Sequence, residues 1–133
     1  MSKELIDRLR PTLAEWERGN LLAGGEVLSP DVEVHLFVPG GIMVSRGLEE
    51  VVGRLRDDVF GQRGEYRIEV GRLVAIDATH VLLEGRQFGV GKRSGIEIAD
   101  SLHVVFTFGG DRVTEMYWYP ERADALAAAG LPG

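Results

Sequence analysis

The sequence predicts an α+β domain with helices laid against one face of an antiparallel sheet. Two stretches carry a helical period: Leu5, Leu9, Leu13 and Trp16 in the first, and Leu48, Val51, Val52, Leu55 and Val59 in the second. From Tyr66 to Tyr119 the period changes to two, in four segments separated by short turns. Helices grouped ahead of a meander of strands are the α+β signature. At 133 residues the chain has the length of one domain with a real core.

The first helical pattern covers residues 2–18. Pro11 lacks a backbone N–H and predicts a kink or a restart, and Gly19-Asn20 a stop. A short second helix is expected over 21–28, although Gly24 and Gly25 weaken it. Ser29-Pro30-Asp31 reads as a turn. Val32, Val34, Leu36 and Val38 alternate with Glu33, His35 and Phe37, which defines a strand. Pro39-Gly40-Gly41 reads as a loop leading to the helix over 47–60.

The meander follows, with strands expected over 66–76, 80–90, 97–108 and 112–119. Asp77-Ala78-Thr79, the segment 91–95 and Gly109-Gly110-Asp111 supply the turns. Pro120 opens a last short helix that ends near Ala129, with Gly130 as its stop.

In the strand 97–108 the even positions from Ile98 to Phe108 are apolar apart from Asp100, so that face should meet the helices. The odd face, with Ser101, His103, Val105 and Thr107, should point away. Asp100 is then a carboxylate on the inner face. Either an Arg or solvent at the strand end satisfies it, or it is a catalytic or ligand-orienting group. Met116 and Trp118 of the last strand are placed inward beside it. The outer face then carries His103, Val105, Tyr117 and Tyr119, an aromatic surface suited to a homodimer contact.

Lys plus Arg number 15 and Asp plus Glu 21, a net charge of −6, which disfavours a nucleic-acid partner. There is no Cys, so thiolate catalysis, disulfides and cysteine metal sites are excluded. No apolar run reaches the roughly 20 residues a membrane helix needs. The start of the chain does not read as a signal peptide, and a cytoplasmic protein is expected. The run Gly89-Val90-Gly91-Lys92-Arg93-Ser94-Gly95 fails as a phosphate loop, with Arg86 and Arg93 where Gly and Ser/Thr are required. His35, His80 and His103 lack metal-ligand spacing, so no metal or other cofactor is expected; His35 and His103 are expected on outer strand faces, where they could be neighbours. Trp16, Tyr66, Phe106, Met116 and Trp118 are the large side chains expected inside, as ordinary core or as pocket walls.

Several stretches resemble one family in order. Residues 9–20, with Trp16 and Gly19-Asn20, are similar to the first helix of SnoaL-like proteins. So are Ser29-Pro30-Asp31-Val32-Glu33-Val34 to their first strand, Arg46-Gly47-Leu48-Glu49-Glu50-Val51 to a helix start, 103–113 to a hairpin, and 121–131 to a C-terminal Asp-Arg-x-Glu-Ala-Leu-like segment. The resemblance covers nearly the whole chain and implies a single SnoaL-like domain over 1–133 of the nuclear-transport-factor-2-like superfamily. It implies a curved antiparallel sheet wrapped by N-terminal helices into a cone with an internal pocket, usually as a homodimer. It does not imply one reaction, because the fold hosts isomerases, cyclases and non-enzymes. The positions that match the catalytic groups of ketosteroid isomerases hold Thr12, Leu36 and Val104, so that chemistry is not expected. Glu121 approximates a cyclase carboxylate only loosely, with Pro120 before it.

The reading that results is a protein binding a small apolar organic ligand. Asp100 is its candidate catalytic acid/base, for a cyclase or isomerase. Thr12, Trp16, Leu36, Tyr66, Leu102, Val104, Phe106, Met116 and Trp118 are its candidate ligand-binding residues. A non-catalytic binding or sensing protein and a protein-interaction module are the alternatives.

Overall fold

The computed structural model describes residues 2–18, 24, 26–38, 40–54, 65–90 and 97–132. Helix α1 (Ser2–Glu17) leads into β1 (Leu28–Val38), β2 (Gly41–Arg46) and α2 (Leu48–Arg54). The strands β3 (Glu65–Ala75), β4 (His80–Val90), β5 (Glu97–Gly109) and β6 (Arg112–Tyr119) follow, then α3 (Arg122–Ala128). The six strands form one open sheet in the order β2-β1-β6-β5-β4-β3. Every neighbouring pair is antiparallel except β1 with β6, which is parallel and makes the sheet mixed.

Four sequence expectations change. Helix α1 runs through Pro11 without a break. Pro11 is exposed while Leu5, Leu9, Leu13 and Trp16 are buried, so burial of the opposite face offsets the lost backbone bond. Ser29, Pro30 and Asp31 lie within β1, not in a turn; the β1–β6 register is irregular between Leu28 and Glu33. The expected loop after Val38 holds an extra strand, β2, hairpinned onto β1, with Gly40 at φ 98° in the connection. Of the expected second helix, Leu28 opens β1, and residues 19–23 and 25 lie outside the described residues. The 55–60 part of the helix expected over 47–60 and the turn over 91–95 also lie outside them.

The β3–β4 register shifts between Val70 and Arg72, an irregularity of the kind that bends a strand. There the backbones of β3 and β4 come too close for side chains. A Cβ on Gly71 would stand 2.8 Å from the Glu84 carbonyl oxygen, and one on Gly85 would collide with the Glu69 carbonyl.

The core has two parts, one on each side of the sheet. The larger joins Leu5, Leu9, Leu13 and Trp16 of α1 and Val51 of α2 to the inner strand positions. The smaller lies on the outer side, where Ala125 and Leu126 of α3 pack on Leu82, Val105 and Tyr117. On β5, Leu102, Val104, Phe106 and Phe108 are buried inward as the alternation predicts. Val105, on the odd face, is also fully buried, because α3 covers it.

Candidate functional site

Period-two alternation gathers the inner-face residues from consecutive strands. Val104 stands opposite Trp118 across β5 and β6, Phe106 opposite Met116, and Leu36 of β1 beside Trp118. The last two turns of α1 bring Trp16 onto this surface. Its ring lies 5.5 Å from Trp118 and 6.2 Å from Phe106, tilted by 38° and 30°. Such tilted arrangements are favourable for aromatic pairs.

The structure therefore brings together Trp16, Leu102, Val104, Phe106, Met116 and Trp118 in one cluster, with Leu36 packed against it. Thr12 is half-buried one turn before Trp16. Tyr66 lies on β3 opposite Gly89; its side chain lies outside the described residues.

Asp100 meets solvent at the strand end, one of the two expectations for it. It has the inner-face parity of Leu102 but is exposed, and its partner strand is β4, where it faces Gln87. The β6 pairing begins only at His103–Tyr119, so Asp100 projects beyond the end of β6 and is not beside Met116 and Trp118. Its Oδ1 accepts a hydrogen bond of 2.8 Å from the Ser101 N–H. Solvent at the end of a long β4–β5 arm replaces the apolar wall that the strand pattern implied. Glu121 is likewise exposed, at the N-cap of α3.

One feature of the inner face has no counterpart in the sequence reading. The indole Nε1 of Trp118 is buried and has no hydrogen-bond partner among the described residues. Indole is a donor only, and a buried donor without an acceptor costs free energy. Ser45, buried on the inner side of β2 opposite Val34, was also missed, because β2 was not anticipated.

The outer face is polar in a different way. Glu33 of β1 accepts from the Arg46 guanidinium, with Nε at 2.9 Å, and its other oxygen lies 2.7 Å from His35 Nε2. Arg46 first, then His35, hold the Glu33 carboxyl below its ordinary range. The His35 ring stacks on Tyr117 at 4.6 Å, and the Tyr117 hydroxyl donates to Glu115 at 3.0 Å. Further along, Glu84 pairs with Arg72 and with Arg122 of α3 at 3.2 Å; Arg72 is the main cause of its lowered pKa. His103 Nδ1 lies 2.8 Å from the Pro120 carbonyl oxygen. Within the sheet His35 and His103 are thus not neighbours, since β6 separates their strands. Among the described residues no group of three or more His, Asp or Glu is arranged to hold a metal ion, and no helix is long and apolar enough to cross a membrane.

The expected dimer patch is also changed. Val105 and Tyr117, at its centre, lie beneath α3. The exposed apolar residues of the outer face are Phe37, Ile42 and Val44, on β1 and the edge strand β2, at 46–47% exposure.

No protein-family model matches the sequence, and comparison with curated proteins finds no match. Solved structures do match. A nuclear-transport-factor-2-like protein of unknown function from Burkholderia pseudomallei K96243 is 16% identical with a TM-score of 0.75, over 92% of this chain and 95% of that one. A hypothetical protein with a ketosteroid isomerase-like fold from Catenulispora acidiphila DSM 44928, in complex with trimethylamine, is 20% identical with a TM-score of 0.69, over 97% and 94%. A protein from Jannaschia sp. CCS1 described as a SnoaL-like polyketide cyclase is 16% identical with a TM-score of 0.66, over 95% and 93%. The chain has the α+β cone fold of the nuclear-transport-factor-2-like superfamily.

Proposed function

We propose that the protein binds a small, largely apolar organic molecule between the inner face of the sheet and α1. The observation that carries this reading is the aromatic trio of Trp16, Phe106 and Trp118, set among aliphatic side chains with an unpartnered donor in its midst. Pockets for small molecules have this composition, with apolar walls and a few polar anchors. The trimethylamine complex and the cyclase description among the structural neighbours are in keeping with a fold that takes up small organic molecules. The test is a titration of uncharged aromatic fragments followed by methyl NMR. Binding should move the Leu102, Val104 and Met116 methyls and leave Val44 still. Shifts confined to Val44 and Ile42, or none, would overturn the reading.

A second reading adds catalysis. Asp100 shares the inner-face parity of Leu102 and is exposed at the end of β5, where a carboxylate is accessible to a bound molecule. As a cyclase or isomerase, the protein would use it as the general acid/base. Asp100→Asn should then abolish turnover of an identified substrate while leaving its binding intact. Unchanged turnover removes Asp100 from the chemistry.

For assembly, we place the homodimer contact on the strip of Phe37, Ile42 and Val44, next to Tyr119, which lies 6.1 Å from the Phe37 ring. An isologous contact repeats one such patch on both copies.

A further inference from the structure

We infer that Trp118 Nε1–H is the hydrogen-bond donor that selects the ligand, and that the ligand is an uncharged aromatic compound presenting a carbonyl oxygen to it. The inference rests on the interior-binding reading above and names the class of molecule that fits it.

Trp118 is 92% buried by its 8% exposure, and its ring nitrogen has no acceptor among the described residues. A tryptophan that only filled apolar space would contribute through its volume alone. The indole N–H instead carries a desolvation cost of roughly 1–3 kcal/mol until an acceptor arrives. A ligand that supplies the acceptor recovers that cost, and one that does not leaves the donor buried and unpaired. This asymmetry is the strongest form of selectivity that a mainly apolar site possesses.

The surroundings fix the acceptor's character. Leu36, Val104 and Met116 adjoin Trp118, and Trp16 and Phe106 complete the wall. None of these can neutralise a negative charge. Among the described inward strand positions the one charged side chain is Asp100, itself an anion. A carboxylate or phosphate on the ligand would be desolvated here without a cation, at high cost. A neutral carbonyl accepts the same hydrogen bond without that cost. The tilted rings of Trp16 and Trp118 favour a flat aromatic body for the rest of the molecule.

The test uses three probes of one shape on the full-length protein: 2-acetonaphthone, 2-isopropenylnaphthalene, in which a CH2 replaces the carbonyl oxygen, and 2-naphthoate. Affinities come from NMR titration. The assigned Trp118 indole 1H–15N resonance is followed separately from that of Trp16. The expected order is ketone tightest, alkene roughly fivefold weaker, as one hydrogen bond implies, and carboxylate weakest. The Trp118 indole proton should shift downfield with the ketone only. In Trp118→Phe the ketone and alkene should bind equally.

If ketone and alkene bind equally to the unaltered protein, the donor assignment is wrong and the interior site stands. If the carboxylate binds tightest, the uncharged class is wrong. If none of the probes binds, the interior-binding reading and this inference fall together. The probe comparison and the indole shift are read on the unaltered chain, so they decide the matter even if Trp118→Phe fails to fold.

Discussion

The two faces of the sheet are made from the same strands yet solve opposite problems. On the inner face, successive strands present Leu102, Val104, Phe106, Met116 and Trp118 to α1, and the Trp118 indole is a buried donor with no partner among the described residues. On the outer face, polar groups are paired: Glu33 with Arg46 and His35, Glu84 with Arg72 and Arg122, Tyr117 with Glu115. Satisfied polar networks fix a structure, whereas an unsatisfied donor buried in an apolar surface carries a desolvation cost that an acceptor would relieve. The outer face also divides. Helix α3 closes it over Val105, Leu82 and Tyr117, and leaves the β1–β2 end open with Phe37, Ile42 and Val44 exposed.

Truncation should break the two faces unequally. Phe106→Ala removes a fully buried ring from the main cluster and should cost about 3–5 kcal/mol in chemical denaturation. Leu126→Ala acts on the small cluster beneath a seven-residue helix, where neighbours can settle into the space. It should cost less, about 2–3 kcal/mol. Equal losses would mean that the two clusters form one cooperative core.

The outer networks set the pH limits of stability. Burial, then the Glu115 hydrogen bond, push the Tyr117 hydroxyl up to about 12 from an ordinary value of 10.0. The unfolded chain therefore ionises first, and this contribution is full below pH 10 and lost as the pH rises toward 12. Tyr117→Phe should show a shallower alkaline decline in melting temperature. On the acid side Glu33 and Glu84 are lowered from 4.5 by Arg46 and Arg72 respectively. Their contributions are present above pH 4.5 and fade as the pH falls through the folded values. Glu84→Gln should flatten the acid decline, the smaller effect, because Arg72 and Arg122 are half-exposed or more and screened by solvent.

The smallest effect on folding should come from Ile42→Lys. It alters an exposed position, so stability should stay within about 0.5 kcal/mol. Its reading is assembly: sedimentation at tens of micromolar, a usual range for dimer affinities, should show the unaltered chain as a dimer and this variant as a monomer. A monomer in both cases would remove the proposed contact.

Much of this contrast was legible in the sequence, because it depends on alternation. The bounds of β4 and β6, and the inward set from Leu102 to Phe108, follow from period two and turn residues alone. Strand β2 was not legible. In Ile42-Met43-Val44-Ser45 both faces are largely apolar, so the pattern lacks the polarity contrast that marks a half-buried strand. The apolar Val105 and Tyr117 correctly signalled a covered surface, but local pattern does not say what covers it, and the cover is α3 of the same chain. Asp100 shows the complementary limit. Parity gives the face a residue occupies, not whether the neighbouring strand extends far enough to bury it.

For uptake of an uncharged aromatic molecule by the interior, the chain carries its own reporters. Its two tryptophans, Trp16 and Trp118, both lie on the inner face. Titration with 2-acetonaphthone, corrected for absorption, should therefore quench tryptophan emission saturably and at one equivalent per chain. Quenching that rises without saturation and matches that of free N-acetyltryptophanamide would contradict it.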